Sequence, residues 1–66
     1  SLPDPGMPCL VISDGKVIRE HYDDCNMNDR ELKRLLRAKG MAVEDVLIMT
    51  VDRDRNAVIV EKEKKI

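Results

Sequence analysis

The sequence predicts an α+β domain of the pattern ββαββ, one helix packed on a four-stranded sheet. Three observations carry this reading. Two short apolar runs flank Asp14-Gly15, two more flank the polar stretch 52–56, and between the pairs lies one segment whose leucines recur at helical spacing. The first and third runs are the most apolar, which places them centrally and predicts the strand order 2-1-3-4.

The first strand is predicted at residues 9–13, C-L-V-I-S, a continuous apolar run rich in β-branched side chains. Asp14-Gly15 follows as a hairpin turn, because glycine takes positive φ without steric cost and aspartate tolerates it. The second strand is predicted at residues 16–21, K-V-I-R-E-H, with polar residues taking over from Arg19. Ser13 lacks the G-x-S-x-G elbow of a nucleophilic serine and reads as part of the turn.

N-D-R-E at 28–31 has the form of a helix start: Asn28 can cap the free amides and Glu31, three residues on, can complete a capping box. Gly40 is a natural stop. Between them Leu32, Leu35, Leu36 and Lys39 share one face, the lysine at its edge, while Arg30, Lys33, Arg34 and Arg37 form a basic ridge opposite. After a short connector, V-L-I-M-T-V-D at 46–52 and A-V-I-V-E-K at 57–62 read as the third and fourth strands. The leucines are expected to pack on Leu10, Ile12, Val17, Ile48 and Ile59. A single helix covers one face of four strands, so the other face is expected to be polar or to meet a partner.

Residues 1–8, with three prolines and a glycine, read as a linker or cloning remnant, residues 9–61 as the single domain, and residues 62–66 as a charged, fraying tail. A chain of 66 residues is too short to enclose a deep active site. Twelve basic and thirteen acidic residues nearly cancel, and one tyrosine with no Phe or Trp leaves little on which bases could stack, which argues against nucleic acid as a partner. No apolar run approaches the ~18 residues of a spanning helix. Cys9 and Cys25 are too few for a disulfide framework and are expected to be reduced and intracellular, with Cys9 an inert core residue.

E-H-Y-D-D-C-N at 20–26 brings the chain's one histidine, a thiol and three carboxylates together. The spacing suits no common metal motif, since neither His21 nor Cys25 has a paired ligand downstream. Asp23 and Asp24 read as ordinary loop acids, and Cys25 lacks an orienting group that would make it a nucleophile. The segment is therefore expected to be a polar strand exit. No catalytic residue, metal or cofactor is assigned.

With the elements placed, the sequence resembles the soluble C-terminal domain of the YetF/YcaP-type bacterial membrane proteins. G-M-P-C-L-V-I-S-D-G-K-V at 6–17 is similar to the family's opening, D-R-E-L-K-R-L-L-R-A-K-G at 29–40 to its helix, and E-D-V at 44–46 to the entry of its third strand. One departure is the last hairpin, V-D-R-D-R-N at 51–56, which lacks the family's turn glycine. The resemblance implies transmembrane helices in the same full-length chain, a cell-membrane location with this domain on the cytoplasmic side, and relatives associated with spores. It supplies no catalytic residues.

The expected function is a non-enzymatic assembly or regulatory domain of a multi-spanning membrane protein, forming a homo-oligomer. The ridge Arg30, Lys33, Arg34 and Arg37 is either an ordinary solvated helix face or a docking surface for anionic lipid headgroups or an acidic subunit surface. The alternative is a domain sensing a small anion or other ligand. A metal or thiol enzyme at residues 20–26 is the remote third reading.

Overall fold

The computed structural model describes residues 7–63. Six terminal residues of the expected linker and the last three of the expected tail lie outside the described residues. The chain runs β1 (Cys9–Ser13), β2 (Lys16–Val17), a 3-10 turn (Arg19–His21), α1 (Tyr22–Cys25), α2 (Asp29–Ala38), a second 3-10 turn (Val43–Asp45), β3 (Val46–Val51) and β4 (Ala57–Glu61). All strands are antiparallel, in the order β2-β1-β3-β4. Fold class and strand order are as the sequence predicts.

Local chemistry explains the boundaries. Asp14 and Gly15 both have positive φ, 51° and 76°, the combination a two-residue type I′ hairpin needs. Asn28 Oδ1 accepts the Glu31 N–H at 2.7 Å, capping α2. The reciprocal half of the capping box does not form, because Glu31 turns to Arg34, whose Nε donates to it at 3.1 Å. At the other end Gly40 has φ 67°, its N–H donates to Arg37 O and that of Met41 to Leu36 O, each at 3.0 Å. That pair of bonds is a Schellman ending, with Met41 packed against the core beside it.

The second strand is shorter than the expected 16–21. The Ile18 N–H bonds to Val11 O at 2.9 Å, and the His21 N–H then closes a 3-10 turn on Ile18 O at 3.1 Å. The chain continues into α1, which carries Asp23 and Asp24 in its first turn, where carboxylates suit the positive end of a helix. Asn26 ends it in the left-handed region at φ 54°. Residues 20–25 are thus helical and Asn26 is their left-handed cap, rather than a polar strand exit.

The core is formed by Val11, Ile12, Cys25, Met27, Leu32, Leu36, Val46, Met49 and Val51, with Leu35, Val17 and Ile59 packed against it. Leu10 and Ile48, expected there, lie on the opposite face. The reason is register: Leu10 pairs with Thr50 and Thr50 with Val58, Ser13 pairs with Ile48 and Ile48 with Val60, while Met49 pairs with Ile12 and Ile59 on the helix side. An irregularity between Leu10 and Ile12 breaks strict alternation and lets both Val11 and Ile12 be fully buried, and a second, between Val46 and Ile48, brings Val46 to the same side as Met49 and Val51. Lys39 is the exposed C-cap of α2 and not part of its buried stripe. Lys62 is tied down, its N–H donating to Asp45 O at 2.9 Å and its Nζ lying 3.5 Å from Asp14 Oδ1, so order extends past the expected domain end at 61.

Candidate functional site

The E-H-Y-D-D-C-N segment is a structural corner. The His21 Nδ1 lies 2.7 Å from Leu10 O; a carbonyl only accepts, so the proton sits on Nδ1. Cys25 is buried and its Sγ donates to His21 O at 3.4 Å. Burial, and after it the neighbouring Cys9 thiol, pushes the Cys25 thiol up to about 12, which suppresses the thiolate at neutral pH. Cys9 itself is half-buried rather than a sealed core residue. Asp23 and Asp24 are exposed. Among the described residues no three His, Cys, Asp or Glu side chains are grouped to hold a metal ion.

Two polar clusters brace this corner. Asp29 Oδ1 accepts from Tyr22 Oη at 2.6 Å and from Arg19 Nε at 3.2 Å, linking α1 and the preceding turn to the start of α2. Burial and the bond to Asp29 raise the Tyr22 phenol to about 12, and the same bond, followed by that from Arg19, holds the Asp29 carboxyl below its usual range. On the other side Arg55, from the β3–β4 loop, donates to Cys25 O at 3.0 Å and to Asn26 O at 2.6 Å. Sequence reasoning missed both clusters, because their partners lie on separate elements.

All four ridge residues, Arg30, Lys33, Arg34 and Arg37, are exposed on α2. They are not equivalent. Arg34 is engaged with Glu31, whose carboxyl it holds below the usual range, and Arg55 Nε adds a second cation 3.7 Å from Glu31. Arg30, Lys33 and Arg37 form no ion pair within 4 Å among the described residues, Lys33 acting on Asp29 only from a longer range. With Asp29 and Arg34 they line a shallow groove of about 500 Å³. An open groove of this kind can attract an anion but cannot exclude water from it.

The sheet face away from α2 is apolar and uncovered. Ile48, Val58 and Val60 are 41%, 61% and 46% exposed, beside half-buried Leu10 and Thr50. Across this face the pairs run Lys16–Ser13–Ile48–Val60 in one row and Leu10–Thr50–Val58 in the next. Apolar side chains therefore gather at the β4 side, and the one charge in these rows, Lys16, stands at the β2 edge. The face expected to be polar or partnered is apolar at its β4 side, where three aliphatic side chains adjoin an edge strand.

No protein-family model and no curated protein matches the sequence.

Proposed function

We propose that this domain is a non-enzymatic assembly module that works by burying its open sheet face against a protein surface. The observation that carries the reading is the cluster of Ile48, Val58 and Val60, three aliphatic side chains held side by side in water by the sheet register. Burying apolar area yields about 25 cal/mol per Å², a contribution favouring association that the loss of translational and rotational freedom partly offsets. The resemblance of the motif order to that of the YetF/YcaP-type domains is what supports a setting in which the module is carried on the cytoplasmic side of a multi-spanning membrane protein and helps assemble or regulate it. Methyl NMR spectra recorded over a dilution series test the face: shifts of the Ile48, Val58 and Val60 methyl signals should depend on concentration while those of Leu32 and Leu36 do not. Concentration-independent spectra would remove self-assembly as the module's role.

A second reading rests on the groove at Arg30, Lys33 and Arg37, whose charges form no ion pair among the described residues. It is a landing site for anionic lipid headgroups or a small anion. Near an anionic membrane each basic side chain contributes about 1 kcal/mol, enough to orient a tethered domain. Co-sedimentation with phosphatidylserine vesicles at low and high salt tests it, and binding that ignores salt would speak against an electrostatic site.

A further inference from the structure

The two edges of the sheet are built differently. β2 is two residues long, carries Lys16, and is followed at once by the 3-10 turn and α1, whose bonds from Ile18 N–H to Val11 O and from His21 to Leu10 O occupy the adjoining part of β1. These are the usual devices that stop an edge from recruiting another strand. β4 has none of them over its first four residues. It runs Ala-Val-Ile-Val-Glu without proline, its pairing with β3 is regular from Ile48–Val60 to Val51–Ala57, and no strand of the described residues lies on its outer side.

We infer that β4 is a self-pairing edge: two copies of this chain join their β4 strands antiparallel about a two-fold axis through Ile59, making one eight-stranded sheet. The inference rests on the assembly reading and names its partner and geometry. Self-complementarity selects the register. Centred on Ile59, all five residues pair, Val58 faces Val60 of the other copy, and Ala57 faces Glu61. Lys62 then falls opposite Asn56, and no like charges meet. Moving the axis to Val60 sets Val58 against Lys62 and Ile59 against Glu61; moving it to Val58 cuts the paired stretch to residues 57–59. The Ile59 register also merges the two apolar clusters, so that Ile48, Val58 and Val60 of both copies form one central strip and the Lys16 side chains stand at the far rims. A second copy fits because the patch is adjacent to its own edge and has no charged residue for an unlike partner to read.

The experiment compares the wild-type 66-residue chain with Val58→Lys plus Val60→Lys, and separately mixes Val58→Cys with Val60→Cys chains under mild oxidation. Both native side chains point to water, so the lysine variant should keep its far-ultraviolet circular dichroism. It should weaken dimerisation by about tenfold or more. The mixed cysteine chains should cross-link more completely than either alone, because positions 58 and 60 are directly opposed only between copies, and the wild-type chain reports any contribution from Cys9 and Cys25. A dimer that persists in the lysine variant, or that cross-links no better in the mixture, overturns edge pairing and leaves the assembly reading standing. A wild-type chain that stays monomeric overturns edge pairing and, with it, self-assembly as the module's role.

Discussion

Arg55 and Cys25 are thirty residues apart in sequence, yet the guanidinium Nη1 donates to the Cys25 carbonyl at 3.0 Å, while Nη2 reaches the Asn26 carbonyl at 2.6 Å. Helix C-termini leave carbonyls without partners, and here a side chain from the β3–β4 loop supplies the donors for α1. Arg55 holds φ 67°, a conformation that side chains other than glycine rarely adopt. Its place in the turn is fixed by Asp52, whose Oδ1 accepts from the N–H groups of Asp54 and Asn56, each at 2.9 Å.

Removing this brace should cost about 1 to 3 kcal/mol in Arg55→Ala, read from the urea midpoint. Arg55→Gly loses the same hydrogen bonds but relaxes the backbone, so it should be the more stable of the two by about 1 kcal/mol. Equal stability of the two variants would show that the positive φ carries no cost.

The core assignment separates the two sheet faces. Leu32→Ala and Leu36→Ala should each cost about 2 to 5 kcal/mol, since both side chains are nearly sealed beneath the sheet. Ile48→Ala, on the open face, should cost well under that in the monomer. An Ile48→Ala variant as unstable as Leu36→Ala would place the wrong face inside.

Stability should fall at both ends of the pH scale. The Tyr22 phenol moves from 10.0 to about 12 and the Cys25 thiol from 9.0 to about 12, so the native state holds these protons more tightly than the unfolded chain. Their contribution is complete below about pH 9 and is lost as pH rises through about 12. Asp29 shifts the other way, from 3.8 downwards; its contribution is present above that value and lost as pH falls through the folded one. The chain has one tyrosine, which makes tyrosinate absorbance a clean probe. Its midpoint should lie near 12 in the folded protein and near 10 in urea; a folded midpoint near 10 would contradict both the burial of the Tyr22 phenol and its bond to Asp29.

On the ridge, Arg37→Ala should leave stability within about 0.5 kcal/mol of the parent, as is usual for a water-facing side chain. Arg30→Glu with Arg37→Glu should abolish any salt-sensitive binding to anionic vesicles. If Arg37→Ala unfolds the chain, the side chain is structural and the ridge reading fails.

Sequence reasoning reached the features that are decided locally. Asp14-Gly15 specifies its turn by the φ values those residues tolerate, Asn28 and Gly40 bound α2 by side-chain capping and left-handed freedom, and the apolar richness of residues 9–13 and 46–51 places β1 and β3 centrally. What was not legible depends on contacts between elements. The strand expected at 16–21 stops early because the His21 N–H closes a 3-10 turn on Ile18 O instead of extending the pairing with β1, a choice its side chains do not specify. Alternation from buried Met49 and Val51 leaves Ile48 on the open face, while the irregularities in β1 and β3 bring Ile12 and Val46 to the helix side, and no side-chain pattern announces them. Of the candidate site, the ridge was read directly from helical spacing. Arg34's engagement with Glu31 and the apolar cluster beside β4 required the register and rotamers.

The central claim is that this domain associates through its sheet, and sedimentation equilibrium of the 66-residue chain over a range of concentrations tests it most directly. The account predicts a mass that climbs from 7.6 kDa towards twice 7.6 kDa as concentration rises, insensitive to added salt because the buried surface is aliphatic. A mass fixed at 7.6 kDa throughout would contradict it.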